Sequence, residues 1–292
     1  MDNLVPWEQK MQLLWLQPSV PPTLNWLASS FDCTRKVTLT AEQSARLSSD
    51  GQLVIGYLST DGRFPTVLQE HPLTGICGEE HRSLFMFHHQ HCSPAQYPIL
   101  CDLWSFLGSL PQGPLWNFYY QVLADKEFIQ AFFQARASHH HHHQQEGGLL
   151  EHSHEVAKTA AMLAMQHQLD KKTVAIAFLG GLLHDVGKLY LFYNQPVGEG
   201  ICEQHEALNF MCLQPQLNQL RQRDPRLFEA LCGCLTQADR YTASYLPETI
   251  VRMADRLSAE VCNWRRAFAD LPSFYWYRKS KADQRIYKRL SD

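Results

Sequence analysis

Residues 173–190, TVAIAFLGGLLHDVGKLY, constrain the fold more than any other part of the chain. Up to the His-Asp pair the segment is apolar on nearly every side, and a helix of that kind has to be buried all round. A chain of 292 residues is long enough to surround it. The sequence therefore predicts a helical domain built around this segment, with a smaller domain appended to it.

The buried helix ends in His184-Asp185, followed by Lys188. Burying an imidazole beside a carboxylate costs free energy unless something compensates for it, and a divalent cation compensates for both groups at once. The alternative is an Asp185 at the helix end that pairs with Lys188. Two further candidate ligands, His152 and Asp255, lie upstream and downstream, which favours the metal site.

The helix that contains His152 is the clearest in the sequence. Apolar residues between 149 and 164 recur at i, i+3 and i+4 and form one face. His152 lies at the border of that face, whereas His154 lies about 200° away on the polar side. We therefore expect His152, and not His154, to point toward the core.

The N-terminal part has a different pattern. Residues 1–35 are rich in Trp and Leu, and residues 51–70 contain short β-prone runs around an Asp-Gly turn signal. The helical pattern begins near residue 100. We predict a mainly α fold with a helical core and a smaller, partly β N-terminal region. The predicted domains are residues 1–97, residues 98–262 and a tail of residues 263–292.

The cysteines indicate a compartment. Nine cysteines, an odd number, are scattered through the chain, which suits reduced thiols in the cytoplasm better than disulfides. The N-terminus lacks a basic stretch followed by an apolar core, and the longest apolar run, residues 174–183, is about half a membrane span. We predict a cytoplasmic protein without a membrane partner.

A second cluster of metal-ligating residue types lies at residues 77–92, CGEEHRSLFMFHHQHC. Its Cys-x3-His start, Cys77 to His81, has the residue types of a zinc site, but the spacing fits no standard zinc finger. The alternative is a set of solvated loop histidines with buried free thiols.

The tail is basic although the whole chain has a formal charge of −3. Between Arg265 and Asp292 there are eight basic and three acidic residues, interleaved with aromatic ones. Such a segment suits single-stranded nucleic acid, whose phosphates attract cations and whose bases stack on aromatic rings. The candidate residues are Arg278, Lys279, Lys281 and Trp276. The alternative is an amphipathic closing helix whose aromatic rings pack on the core.

In order and context, His152, His184-Asp185 and Asp255 resemble the H…HD…D signature of the HD-domain metal-dependent phosphohydrolases, over residues 119–262. The segments HHQQEGGLLEHSHEVA, LLHDVGKL and LPETIVRMADRLSAE look most like those of YhaM-type 3′–5′ exoribonucleases. The first of them also resembles the MobH-type conjugative relaxases.

This resemblance implies that the four residues ligate a metal. Mixed imidazole and carboxylate ligands suit Mn²⁺, Fe or Mg²⁺ better than a thiolate-rich zinc site. Such an ion would activate water and neutralise phosphoryl oxygens. Asp185 and Lys188 are the candidate catalytic residues. Lys188 is placed to contact a phosphate, or else is an ordinary lysine at a helix end.

The resemblance also offers a second metal or phosphate site. His142 and His143 match a histidine pair that precedes the Gly-Gly of the similar families, and His205 matches a second-metal histidine. Where those families have paired histidines before the final Asp, this chain has LTQADRYTAS, with Asp239 as the remaining oxygen ligand. One ion and two ions both stay open.

The function expected from this resemblance is hydrolysis of phosphodiester bonds in single-stranded RNA or DNA, in the manner of a 3′–5′ exonuclease. The first alternative is a nucleotide or cyclic-nucleotide phosphohydrolase. The second is a relaxase-related protein or a degenerate HD module that binds a partner without catalysis.

Overall fold

The computed structural model describes residues 12–19, 25–29, 34–59, 66–137, 145–193, 205–236, 243–280 and 283–290. The backbone divides into two compact units, Met1–Gln130 (unit 1) and Ala131–Asp292 (unit 2). The predicted boundaries after residues 97 and 262 stay predictions. The fold is mostly helical with an N-terminal sheet, as the sequence predicted.

Unit 1 begins with a closed barrel of five described strands. In chain order the elements are β1 (Gln12–Pro18), β2 (Asn25–Ser29), β3 (Thr34–Thr38), α1 (Ala41–Arg46), β4 (Gln52–Ser59) and β5 (Thr66–Cys77). The order around the barrel is β1-β2-β3-β5-β4, and β4 pairs with β1. Among the strand pairings of the described residues in this barrel, β3–β5 is parallel and the others are antiparallel.

The core of the barrel follows the two-residue alternation of its strands. Trp26 lies opposite Val37 on the neighbouring strand, and Leu14 lies opposite Val54. All four are buried in one cluster with Leu16, Ala28 and Val67. The partly β N-terminal region is thus a barrel with its own hydrophobic core.

Helices follow the barrel, and they begin earlier than residue 100. They are α2 (Gly78–His91), α3 (Tyr97–Ser109), α4 (Pro114–Ala124) and α5 (Lys126–Gln134). The Cys- and His-rich segment is therefore mainly helix α2, so the expectation of loop histidines was wrong. His88 is fully buried and hydrogen-bonds the carbonyl of Leu123 at 2.8 Å. Within the described ranges, no metal-ligating group forms in this segment.

Unit 2 is built around the predicted buried helix. Its elements are α6 (Gly148–Gln166), α7 (Lys171–Leu183), a 3₁₀ turn (Val186–Lys188), α8 (Leu189–Phe192), α9 (His205–Cys212), α10 (Gln214–Arg223), α11 (Pro225–Thr236) and α12 (Leu246–Phe268). Asp170 begins α7 as its N-cap, because its carboxylate accepts the amides of Lys172 and Thr173.

The stretch Lys171–Leu191 is long and apolar enough to cross a membrane by length and composition. However, 78% of its apolar window is buried inside the protein, as in the core helix of a globular domain. The segment therefore gives only weak support for a membrane span, and cytoplasmic localisation stays a prediction.

The C-terminal tail forms a β-hairpin rather than the helix that the sequence offered as an alternative. Strand β6 (Tyr277–Lys279) pairs antiparallel with β7 (Ile286–Lys288). Tyr287 is buried against Ala267 and Phe268, at the end of α12. One side of the hairpin is thus fixed to the helical unit.

Candidate metal centre

A close crossing of α6 and α7 positions the two histidines. A Cβ atom added to Gly181 would lie only 2.7 Å from the Cα of Ala157 on α6, so a side chain here would push the two backbones apart. The crossing brings the first half of α6 beside the end of α7. There the rings of His152 and His184 lie 5.3 Å apart, measured between centroids.

Four side-chain atoms converge at this point. Nε2 of His152 lies 3.4 Å from Oδ2 of Asp185 and 3.3 Å from Oδ1 of Asp255. Nε2 of His184 lies 3.4 and 3.5 Å from the same two oxygens. These separations exceed those of good N–H···O bonds. Atoms that each lie about 2.0–2.2 Å from one ion are separated by roughly 2.9–3.6 Å, so the four His–Asp separations are those of neighbouring ligands on one cation.

Both imidazole rings are held from behind. Nδ1 of His184 donates to the carbonyl of Gly181 at 2.8 Å, which turns Nε2 toward the carboxylates. This Nε2 is buried and has no hydrogen-bond partner within the part of the chain that the structure describes. The hydroxyl of Ser258 lies 3.4 Å from Nδ1 of His152. Such contacts orient the ring of a metal-ligating histidine.

The cluster is strongly charged. Burial alone would lower the pKa of His184, but the carboxylates of Asp185 and Asp255 outweigh it and raise that pKa to about 10. The pKa of His152 is raised in the same way against its burial. Burial alone would raise the pKa of Asp185, but His184 and Lys188 hold it well below its usual range. The site therefore attracts positive charge, which a proton or a metal ion can supply.

The Lys188 ammonium lies 2.6 Å from Oδ2 of Asp185. This is the ion pair that the sequence offered as the alternative to a metal site. One-fifth of the Lys188 side chain remains exposed, whereas the Asp185 side chain is almost fully buried. Lys188 is thus the member of the pair that borders solvent.

Asn209, on α9, is a site residue that the sequence reasoning missed. It is fully buried, and its amide donates to the carbonyls of His184 and Leu235. Its oxygen accepts the amide of Gly187 at 2.7 Å. The Asn209 side chain therefore hydrogen-bonds the backbone on both sides of Asp185, in the turn after α7. The only sequence signal was an asparagine one helical turn after His205.

The structure brings together the four predicted ligands and leaves His154 outside the group. A buried set of His152, His184 and Asp185 that could hold a metal ion is found, with Asp255 beside it. The predicted residues His142, His143, Asp239 and Lys281 lie outside the described residues. Only the backbone of His205 is described, at the first position of α9. Arg278, Lys279 and Trp276 lie in or beside the C-terminal hairpin.

Comparison with family models supports an HD-related domain in this part of the chain. Residues 126–211 match the model of the HDOD domain, which is HD-related. The match runs from the start of α5 almost to the end of α9, so it includes His184-Asp185 but not Asp255. Neither the curated proteins nor the solved structures gave a match. No comparison supports the YhaM-type or MobH-type resemblance specifically.

Proposed function

We propose that unit 2 is a metal-dependent phosphohydrolase that holds a divalent ion between His152, His184, Asp185 and Asp255. The observation that carries this proposal is the buried Nε2 of His184, which faces two carboxylates at distances too long for good hydrogen bonds. Two imidazole nitrogens and two carboxylate oxygens suit Mn²⁺, Fe or Mg²⁺.

The residues of the chain have distinct tasks in this proposal. A bound ion would supply an activated water molecule and neutralise phosphoryl oxygens. Gly181 and Ser258 hold the two rings in orientation. Asp185 anchors the site, and Lys188, at its solvent border, exchanges its contact with Asp185 for a phosphate oxygen of the substrate.

For the substrate we propose a phosphodiester bond of single-stranded RNA or DNA, cleaved from the 3′ end. The aromatic and cationic C-terminal hairpin supports a polymer rather than a free nucleotide. The barrel of unit 1 is compatible with this, because one type of five-stranded barrel, the OB fold, binds oligonucleotides. A nucleotide or cyclic-nucleotide phosphohydrolase is the second proposal for the same site.

A non-catalytic signalling or binding module is the third reading. Two observations favour it: the family match is to the HDOD domain, and Lys188 already neutralises Asp185 without a metal. A relaxase-related role has no observation of its own in its favour.

The test compares the metal content and activity of wild type, His152→Ala, Asp185→Asn and His154→Ala. His154 is on the same helix as His152 but outside the cluster, so it is the matched control. We expect metal and activity in wild type and His154→Ala, and loss of both in the other two. Equal metal content in all four proteins would contradict the site assignment.

The substrate is decided with end-labelled oligonucleotides in Mn²⁺ or Mg²⁺, beside phosphate release from nucleotides and cyclic nucleotides. Stepwise shortening from the 3′ end supports the exonuclease. Intact oligonucleotides under conditions where nucleotides are hydrolysed would favour the second proposal, and bound metal without any turnover would favour the third. His205→Ala and Asp239→Asn test for a second ion. If these residues bind one, each substitution lowers the metal stoichiometry from two to one.

A further inference from the structure

The C-terminal hairpin has two unlike sides. Antiparallel pairing places Tyr277 opposite Lys288 and Lys279 opposite Ile286. Because directly opposed residues project to the same side of a sheet, these four form one surface, called here the hairpin face. All four are exposed, Tyr277 by 55% and Ile286 by 64%. The other side carries Tyr287, which is buried against α12.

Trp276 extends this surface. Its side chain is 51% exposed, and its ring lies 4.9 Å from that of Tyr277, measured between centroids. The Lys288 ammonium is 5.6 Å from the centre of the Trp276 ring, in a cation–π arrangement. Two adjacent exposed aromatic rings with cations beside them therefore border the solvent.

The arginines of this region are mostly used to hold the hairpin. Arg278 pairs with Asp270 at 2.8 Å and Arg285 with Glu260 at 2.9 Å. Arg289 donates to the carbonyl of Tyr275 and lies over the ring of Phe268. In contrast, no ion pair to Lys279 or Lys288 occurs among the described residues. The charge left on the hairpin face is therefore positive.

We propose that the hairpin face binds a single-stranded nucleic acid, whose bases stack on Trp276 and Tyr277 while its phosphates contact Lys279 and Lys288. The choice of polymer rests on the proposed function, although the binding itself needs no catalysis. This assignment changes the sequence prediction at Arg278, which supports the hairpin instead of binding the strand.

The composition of the face favours a single strand over a duplex. Paired bases in a duplex do not offer free ring faces for stacking, and the aromatic rings would then have no role. The exposed Phe274 and Leu290 near the face, together with its lysines, would also suit an anionic membrane surface, so the test includes anionic vesicles as a competing partner.

The test is fluorescence anisotropy of labelled single-stranded oligonucleotides, in EDTA so that no cleavage occurs. The variants are Lys279→Gln/Lys288→Gln and Trp276→Leu/Tyr277→Leu. Lys171→Gln/Lys172→Gln, at exposed positions at the start of α7, is the control of equal charge change. We expect the lysine pair to lower the log–log salt slope by roughly 1.4, since each single-strand phosphate contributes about 0.7.

The aromatic double variant should bind about tenfold more weakly or worse, with an unchanged salt slope. Wild-type affinity and slope in both hairpin variants would overturn the proposal, as would a preference for duplexes, or for anionic phosphatidylserine vesicles over oligonucleotides. If the hairpin variants bind oligonucleotides more weakly than wild type but the His152 and Asp185 variants retain wild-type metal content, only the proposed metal site fails. If both hairpin variants bind like wild type while wild type still shortens oligonucleotides from the 3′ end, only the hairpin proposal fails.

Discussion

At the scale of single residues, Asn209 contributes to the site without being one of its ligands. Its side chain satisfies the carbonyls of His184 and Leu235 and the amide of Gly187. These backbone groups lie in a buried region where an unpaired donor or acceptor costs about 1–3 kcal/mol. The orientation of the His184–Asp185 turn therefore depends on an amide about 25 residues further along the chain.

We predict that Asn209→Ala lowers the free energy of unfolding of unit 2 by about 3 kcal/mol or more, because three buried groups lose their partner. Urea denaturation followed by circular dichroism measures the change. Asn218→Ala, on α10 and partly exposed, is the control and should stay within about 0.5 kcal/mol of wild type. Equal stabilities of the two variants would show that the three hydrogen bonds contribute little.

His88 makes unit 1 sensitive to acid. Burial lowers its pKa to about 4, and the positive charges of His91 and Lys126 act in the same direction, against a hydrogen bond to Leu123 that raises the pKa. The unfolded chain, with a histidine pKa near 6.5, binds a proton that the folded unit resists. The stabilising effect is therefore complete above pH 6.5 and is lost as the pH falls toward 4.

We predict a loss of roughly 3 kcal/mol in unit 1 stability between pH 6.5 and pH 4 from this group alone. The fluorescence of four buried tryptophans of unit 1, Trp15, Trp26, Trp104 and Trp116, follows unfolding at each pH. His88→Gln should be less stable at neutral pH but less pH-dependent. His71→Gln, at an exposed position of β5, is the control and should keep the wild-type dependence of stability on pH. If His88→Gln also kept that dependence, His88 would not be the group responsible for it.

At the scale of elements, the crossing of α6 and α7 decides whether the ligands meet. Gly181→Ala should normally favour a helix interior by up to about 1 kcal/mol. Here the new methyl group would meet the backbone of α6, so we expect a net loss of stability and of metal affinity. Thermal unfolding and metal titration measure both. Gly113→Ala is the control, because the added atom would make only an ordinary van der Waals contact, 3.8 Å from the carbonyl oxygen of Pro111.

The sequence predicted those elements whose pattern is local. The apolar run of α7 and the face of α6 that separates His152 from His154 are periodic over several turns. Helix α2 was missed because Glu79, Glu80 and four histidines interrupt its apolar stripe. The hairpin was missed because its strands have three residues each, and the packing of Tyr287 on α12 is not visible in local sequence.

The candidate site divides in the same way. Its candidate ligands could be named because two histidines and two aspartates stand in a known order, His152 and Asp255 within helices and His184-Asp185 directly after one. Asn209 could not, because its partners are carbonyls and an amide brought near by tertiary packing. The ion pair between Arg278 and Asp270 could not be predicted either. In the sequence, each of the two residues looks like an ordinary surface charge.

At the scale of the whole molecule, the four candidate ligands lie in unit 2, whereas unit 1 has a core of its own. We predict that Mn²⁺ raises the unfolding temperature of unit 2 alone, by an amount that grows with free ion, since a ligand at 100 times its Kd adds about 2.7 kcal/mol. Calorimetry with and without EDTA measures this. Asp185→Asn should abolish the effect, and a parallel rise in both transitions would argue against a site confined to unit 2.

The wide spacing of the candidate metal ligands along the chain also has a kinetic consequence. His152 and Asp255 are separated by about a hundred residues in the sequence. The four side chains therefore come together only after α6, α7 and α12 have packed against one another. Contacts that form after the transition state alter the rate of unfolding and leave the rate of folding almost unchanged. We therefore expect a bound metal ion to stabilise the folded domain without changing how fast it folds. In a chevron experiment the ion should lower the unfolding rate, whereas the refolding rates of the metal-loaded and metal-free protein should coincide.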